Sequence, residues 1–347
     1  MIRKVAALFI AVVPAIVPAG CSNQESVFKP NLILISIDTL RADHLGCYGY
    51  PLQTSPFLDA LSRKEEAVLF ENCIAQAPNT APSHMSIFTS LFPTVHGVPN
   101  VTAEPTALEL KLPEPVKSLA LVLNDAGYRT AGLTDGGYLD PFMGFGQGFD
   151  TYDCTYERIA RKVDRALQWI EVNESREEPF FLFMHTYEVH APYIPPAPFH
   201  ARFTGDYSGW IREYCFGSDS EKAVAAGGFK DLFKRRGEFT EEDVAYLKGL
   251  YDGEIAYMDS ELQRFFSALE RKGITENTVI VILSDHGEEF GEHGEFSHKQ
   301  LYDEVVHVPL ILLLPCGQFD MIRHRVEEQV SLIDVTVSYT HLRAHET

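Results

Sequence analysis

The sequence predicts an α/β protein built on a doubly wound, mostly parallel sheet flanked by helices. Continuous apolar runs recur at NLILISI (Asn31 to Ile37), PFFLFM (Pro179 to Met184), Thr278 to Leu283 and Val308 to Leu314. Such runs suit strands buried on both faces better than half-exposed, alternating ones. Segments with helical spacing alternate with them. The composition agrees: 347 residues, 45% hydrophobic and 22% charged, are ordinary for a globular chain with one large or two smaller domains.

In order along the chain, MIRKVAALFIAVVPAIVPAGCSNQ places Arg3 and Lys4 before an apolar run and Ala19-Gly20 before Cys21. The run is short for a membrane span and reads as a secretory signal over residues 1–21. Its end resembles a bacterial lipobox, which makes Cys21 the candidate lipidation site, with simple cleavage as the alternative. Either way the chain is expected to be exported, to a periplasm or cell surface. Five cysteines remain after Cys21 (Cys47, Cys73, Cys154, Cys215, Cys316), without metal-site spacing. One or two disulfides are compatible with an oxidising compartment, and the spacing selects no pairing.

The first apolar run ends at Asp38. Helical spacing follows at Ser55 to Leu61, after Thr80, and at Val116 to Ala126. Thr80, ahead of Pro82, reads either as a helix cap or as a nucleophile at a helix start. Thr130 to Thr134 reads as a short strand and Ile159 to Val172 as an amphipathic helix; the next strand ends at His185. Ala191 to Gly237, rich in Pro, Gly and aromatic residues, reads as an irregular surface excursion. Thr240 with Asp243 forms a capping box, and Gly273 stops the long helix that it opens. The strand after it ends in Ser284-Asp285-His286-Gly287, where Gly287 is expected to permit a sharp turn. VSLIDVT reads as the start of another helix. The final VSYTHLRAHET resembles a translated sequencing adapter, so residues 337–347 are expected to be non-native, with the natural chain continuing differently.

The net charge of −20 disfavours nucleic acid and anionic lipid surfaces as partners. An enzyme for anionic esters with this charge needs a local cluster of cation, Lys and His. In open α/β sheets, ligands bind beyond the carboxyl ends of the strands. There the sequence offers Asp38, His185 and the pair Asp285-His286, of which the last supplies two metal-competent groups side by side.

Several separated motifs, in order from Asn31 to Thr336, resemble the sulfatase family of the alkaline phosphatase superfamily. They are NLILISIDTLRADHLGCYGY, TAPSHMSIFTSLFPTVHGV, FFLFMHTYEVHAPY, LYDGEIAYMD and ILSDHGEEFGEHGEFSHKQLYDEVVHVPLIL. The resemblance implies an alkaline phosphatase-like catalytic domain over 28–336, with a C-terminal subdomain truncated. Family members that cleave sulfate esters carry a Cys or Ser converted to formylglycine, within a Cys-x-Pro-x-Arg type motif. Here that stretch is Thr80-Ala81-Pro82-Ser83-His84, and threonine is not a substrate for the conversion. The paired aspartates after the first strand are Asp38-Thr39, and the Gly-Lys-x-His motif has no counterpart in Gly132-Leu133-Thr134-Asp135-Gly136.

What remains resembles the phosphonate and phosphodiester hydrolases and the threonine-nucleophile lipoteichoic acid synthases and phosphoethanolamine transferases. The resemblance implies that Asp38, Thr80, Asp285 and His286 hold one divalent cation, calcium by family, with manganese, magnesium or zinc also compatible. It implies Thr80 as nucleophile, His190 and Lys299 at the ester oxygens or leaving group, and His185 as a second acid. No ligands for a second metal are found. His84, His293 and His298 lie in the same motifs without an assigned role, and Glu288, Glu289 and Glu292 read as a solvated rim.

The implied function is a metal-dependent hydrolase of sulfate or phosphate esters, acting on a small-molecule or glycan substrate. The alternatives are a phospho-group transferase acting on an envelope lipid or glycan, and an inactive surface binding homologue.

Overall fold

The computed structural model describes residues 29–98, 116–173, 178–217, 232–315 and 324–336. Cys21, Cys316 and the suspected tail lie outside them. In chain order the main elements are β1 (Asn31–Ile37), α1 (Pro56–Leu61), β2 (Ala67–Ile74), α2 (Thr80–Thr89), α3 (Leu119–Asp125), β3 (Arg129–Leu133), β4 (Thr151–Asp153), α4 (Ile159–Asn173), β5 (Phe180–Thr186), α5 (Glu241–Arg271), β6 (Thr278–Leu283), β7 (Glu289–Phe290), β8 (Phe296–Ser297), β9 (His307–Leu313), β10 (Arg325–Val326) and β11 (Val330–Ser331). The main sheet runs β10-β2-β9-β6-β1-β5-β3-β4, with β11 also on β2. A separate small hairpin pairs β7 with β8.

The expected doubly wound, mostly parallel sheet is present. β1 pairs in parallel with β5 and β6, and β3 with β4 and β5. β9, foreseen as a buried strand, runs antiparallel to both β6 and β2. β2 was not anticipated, because Glu71 and Asn72 interrupt its apolar run, AVLFENCI.

Side chains along the central strands alternate between two cores, as period-two geometry requires. Ile33, Ile35, Ile37, Leu182 and Met184 face one layer with Leu250, Ile255 and Leu262 of α5. Leu32, Leu34, Phe181 and Phe183 face the other with Met85 and Phe88 of α2 and Leu119 of α3. α2 is buried from Thr80 through Phe88, so it runs through the interior without a solvent face. α5 begins at the expected Thr240–Asp243 capping box. Past its end, Gly273 adopts φ 70°, a left-handed conformation that suits glycine.

Among its described residues, the Ala191–Gly237 excursion includes the helix Trp210–Phe216. At the C-terminal side, residues 334–336 take helical backbone, as VSLIDVT suggested. Among the described residues, Cys47, Cys73, Cys154 and Cys215 are free thiols. No helix among them is long and apolar enough to cross a membrane.

Candidate active site

Parallel pairing sets the strand ends level. Ser36 of β1 lies opposite His185 of β5 and Leu283 of β6, so the next residues of β1 and β6 emerge together. The Asp38 N–H continues the ladder one step, donating to Thr186 O at 3.0 Å. Asp38, Asp285 and His286 are completely buried. They bring one ligand atom each to within 4.8 Å of one another.

Thr80 joins them from α2. Asn79 holds the N-cap position, and Thr80 is the first helical residue. Its hydroxyl donates to Asp38 Oδ2 at 3.1 Å instead of accepting from the helix backbone. The cap reading of Thr80 therefore does not describe its side chain. Around it, Ser83 Oγ donates to Asp285 O at 2.7 Å. His84 Nδ1 lies 2.8 Å from Thr80 O and 3.3 Å from Asp285 Oδ2, and its Nε2 meets Ser36 Oγ at 2.9 Å. The imidazole thus occupies the motif's arginine position beside the Asp285 carboxylate.

The four-residue set fits a divalent cation. Asp38 Oδ1, both Asp285 carboxylate oxygens and His286 Nε2 are buried without hydrogen-bond partners among the described residues. Buried polar atoms are rarely left so, and converging orphan acceptors ask for positive charge. His286 Nδ1 faces Gly287 O at 3.0 Å, so it carries the proton. The Nε2 lone pair is thereby left toward Asp285 Oδ2, 3.3 Å away. Burial and Asp285 push the pKa of Asp38 up, but the His185 hydrogen bond and the charges of His286 and His190 outweigh them and leave it lowered. Asp285 is also lowered, its burial offset chiefly by His286 and His84. His286 is raised, since Asp285 and Asp38 overcome the effect of burial.

His185 is buried, with Nε2 3.3 Å from Asp38 Oδ2, and burial holds its pKa low despite that bond. It braces Asp38. His190 is half-buried and directs Nδ1 to Ala191 O at 2.6 Å. Its ring lies 5.5 Å from that of His298. Lys299 is exposed and makes no hydrogen bond or ion pair within the described residues, so the structure does not bring it into the cluster.

His298 was left without a role by sequence reasoning. Its ring lies 4.3 Å from His286, and its Nδ1 faces Pro78 O at 2.9 Å. Burial, with His286 and His190 nearby, holds it neutral, well below the ordinary imidazole value. His293, five residues earlier in the same motif, instead pairs with Glu304 at 3.2 Å and stacks on Tyr302. Nothing in the sequence separates the two.

The acidic rim is corrected for Glu288 and Glu289, while Glu292 is exposed as expected. Glu288 and Glu289 are buried, 1% exposed each. Glu288 accepts from Tyr193 Oη at 2.9 Å, and burial pushes its pKa up to about 7. Glu292 pairs with Arg41 and Lys248, each at 2.9 Å. Gly287 is needed for close approach, not for a left-handed turn: a Cβ there would lie 2.0 Å from Glu304 O.

The chain belongs to the sulfatase family, whose profile matches residues 30–342. Among curated relatives, it is 24% identical over 336 residues to iduronate 2-sulfatase of Homo sapiens, covering 82% of this chain and 60% of the relative. The chain thus spans about 60% of the length of the first curated relatives it matches. The phosphonate monoester hydrolase of Agrobacterium radiobacter superposes with a TM-score of 0.70 at 22% identity, covering 91% of this chain and 74% of that one. The soluble domain of lipooligosaccharide phosphoethanolamine transferase A from Neisseria meningitidis gives a TM-score of 0.65 at 18% identity, covering 92% and 89%. These likenesses establish a common fold.

Proposed function

We propose that the protein is a metal-dependent hydrolase of sulfate or phosphate esters in which Thr80 is the nucleophile. The observation that carries this reading is the Thr80 hydroxyl donating to Asp38 at 3.1 Å, beside orphan acceptors of Asp38, Asp285 and His286. A divalent cation held by Asp38, Asp285, His286 and the Thr80 hydroxyl, calcium by family resemblance, would lower the hydroxyl pKa and offset negative charge on the ester.

The protein's own part follows from the geometry. Asp38 Oδ2, already the acceptor, takes the Thr80 proton. Thr80 Oγ1 attacks the sulfur or phosphorus and the ester oxygen leaves; His190, with Nδ1–H held by Ala191 O, is assigned as an imidazolium that gives its Nε2 proton to that oxygen. Water, giving a proton to the His190 left neutral, then attacks the sulfo- or phospho-threonine, and Asp38 returns its proton to Thr80 Oγ1 as the inorganic anion leaves. The N–H groups at the start of α2 favour negative charge at the same point. His185 keeps Asp38 oriented, and Lys299, at the exposed edge, is assigned to the organic part of the substrate.

The relative named iduronate 2-sulfatase supports an anionic carbohydrate or small-molecule ester as substrate. The threonine supports a phosphorus ester equally, and transfer to an envelope acceptor instead of water is the second reading. Hydrolysis of matched aryl sulfate, phosphate monoester and phosphodiester by the metal-loaded protein tests the proposal, with Thr80→Ala alongside. Loss of turnover in Thr80→Ala is expected; retained turnover would exclude Thr80 as nucleophile. Export with lipidation at Cys21 belongs to the same proposal, and palmitate labelling of wild type against Cys21→Ala checks it.

A further inference from the structure

One polar group beside Thr80 has no part in the chemistry above. The Tyr187 hydroxyl, one residue past β5, is buried and has no hydrogen-bond partner among the described residues. The Thr80 side chain and the Tyr138 backbone face the phenol oxygen as donors, and Asp38 and Asp285 are close enough to act on it electrostatically, while its own proton meets no acceptor among the described residues. A phenol is protonated at ordinary pH, so the hydroxyl is a donor. Both carboxylates are nearby, yet neither accepts its proton.

The phenol is held by two ring contacts and by its own backbone. Its ring packs edge-on against His185, centroids 4.7 Å apart, and against His190 at 5.5 Å. Its backbone N–H donates to Asp135 Oδ2 at 2.8 Å. Asp135 Oδ1 in turn meets the buried Lys162 ammonium at 2.8 Å. Gly137 leaves room for the hydroxyl, since a Cβ there would sit 3.3 Å from it. Asp135 thus uses the stretch that departs from the family's lysine motif to anchor the peptide carrying Tyr187.

We propose that Tyr187 is a catalytic residue, donating its hydroxyl hydrogen bond to a non-bridging oxygen of the group being transferred to Thr80. The inference rests on the nucleophile reading of Thr80. No proton changes owner: the donor meets negative charge as it develops, and an oriented neutral donor in a buried site is effective for that purpose.

The test is Tyr187→Phe in the full chain, with Thr80→Ala in parallel. Removing one oxyanion donor is expected to lower kcat about 100-fold, with KM within about threefold. Vanadate, probed by calorimetry on the metal-loaded protein, should bind at least about tenfold more weakly to Tyr187→Phe, because a transition-state mimic loses the same contact. The thermal midpoint should stay or rise, since the deleted hydroxyl had no partner, and the bound metal per chain should not change. Wild-type kcat and vanadate affinity in Tyr187→Phe would overturn the inference, as would a lowered midpoint or lost metal, which mark a structural role. A dead Thr80→Ala beside a fully active Tyr187→Phe removes this inference alone; an active Thr80→Ala removes the reading beneath it.

Discussion

Lys162 offers a sharp test of how the fold holds the site. Its side chain is 2% exposed on α4, and its ammonium reaches Thr134 O at 2.6 Å, Thr155 O at 2.9 Å and Asp135 Oδ1 at 2.8 Å. Lys162→Met keeps the aliphatic packing but leaves Asp135, itself 1% exposed, without its counter-charge. Breaking one side of a buried pair costs about 3–5 kcal/mol. The Tyr187 and Glu157 N–H groups still donate to Asp135, which places the expected loss near the lower end, about 3 kcal/mol. At about 2 °C per kcal/mol for a chain of this size, the thermal midpoint falls by about 6 °C.

Urea unfolding followed by circular dichroism measures the loss directly. In Lys162→Met/Asp135→Asn the uncompensated charge is gone, so the double variant should be more stable than the sum of the two single losses, by about 1–3 kcal/mol. A single-variant cost below about 1 kcal/mol, or strict additivity, would refute the paired-charge account.

The cation proposal makes a linked stability prediction: free metal at about 100 times its dissociation constant stabilises the chain by about 2.7 kcal/mol. Scanning fluorimetry in chelator and in metal should show that shift for wild type and lose it in Asp285→Asn; an equal shift in the variant counts against the site. Asp259 gives a pH test. It accepts from the Phe57 and Leu58 N–H groups at 2.9 Å each, while burial pushes its pKa from 3.8 up to about 7. The folded value lies above the unfolded one, so its contribution is fully present below pH 3.8 and is lost as pH rises through about 7. That contribution is at most about 4 kcal/mol. Relative to Asp259→Asn, wild type should lose urea resistance between pH 5 and pH 8; parallel profiles would contradict the shift.

The candidate site was legible because it depends on where apolar runs stop. Asp38 and Asp285-His286 follow buried strands and His185 sits near the end of one, and parallel register brings such ends level. Features that depend on distant partners were not legible. Glu288 and Glu289 read as solvated because carboxylates usually are. Their burial depends in part on Tyr193 meeting Glu288, and on His293 N–H and Gln300 meeting Glu289. Lys162 sits in an amphipathic pattern that places lysines in water, and only the fold supplies Asp135. Tyr187 follows a strand of phenylalanines, and no local pattern reveals that its hydroxyl lacks a partner. β2 was missed for the reverse reason: polar residues broke its run, although its backbone pairs with β9 on both sides of the irregularity between Phe70 and Cys73.

The central claim is that Thr80 becomes covalently attached to the transferred group. Rapid acid quench of the metal-loaded protein during turnover, followed by mass spectrometry of the Thr80 peptide, tests it most directly. A sulfuryl or phosphoryl group on Thr80, absent in Thr80→Ala and distinguishing sulfate from phosphate chemistry by its exact mass, is the predicted result. Turnover with an unmodified Thr80 peptide at every quench time, and with Thr80→Ala still active, would contradict the account.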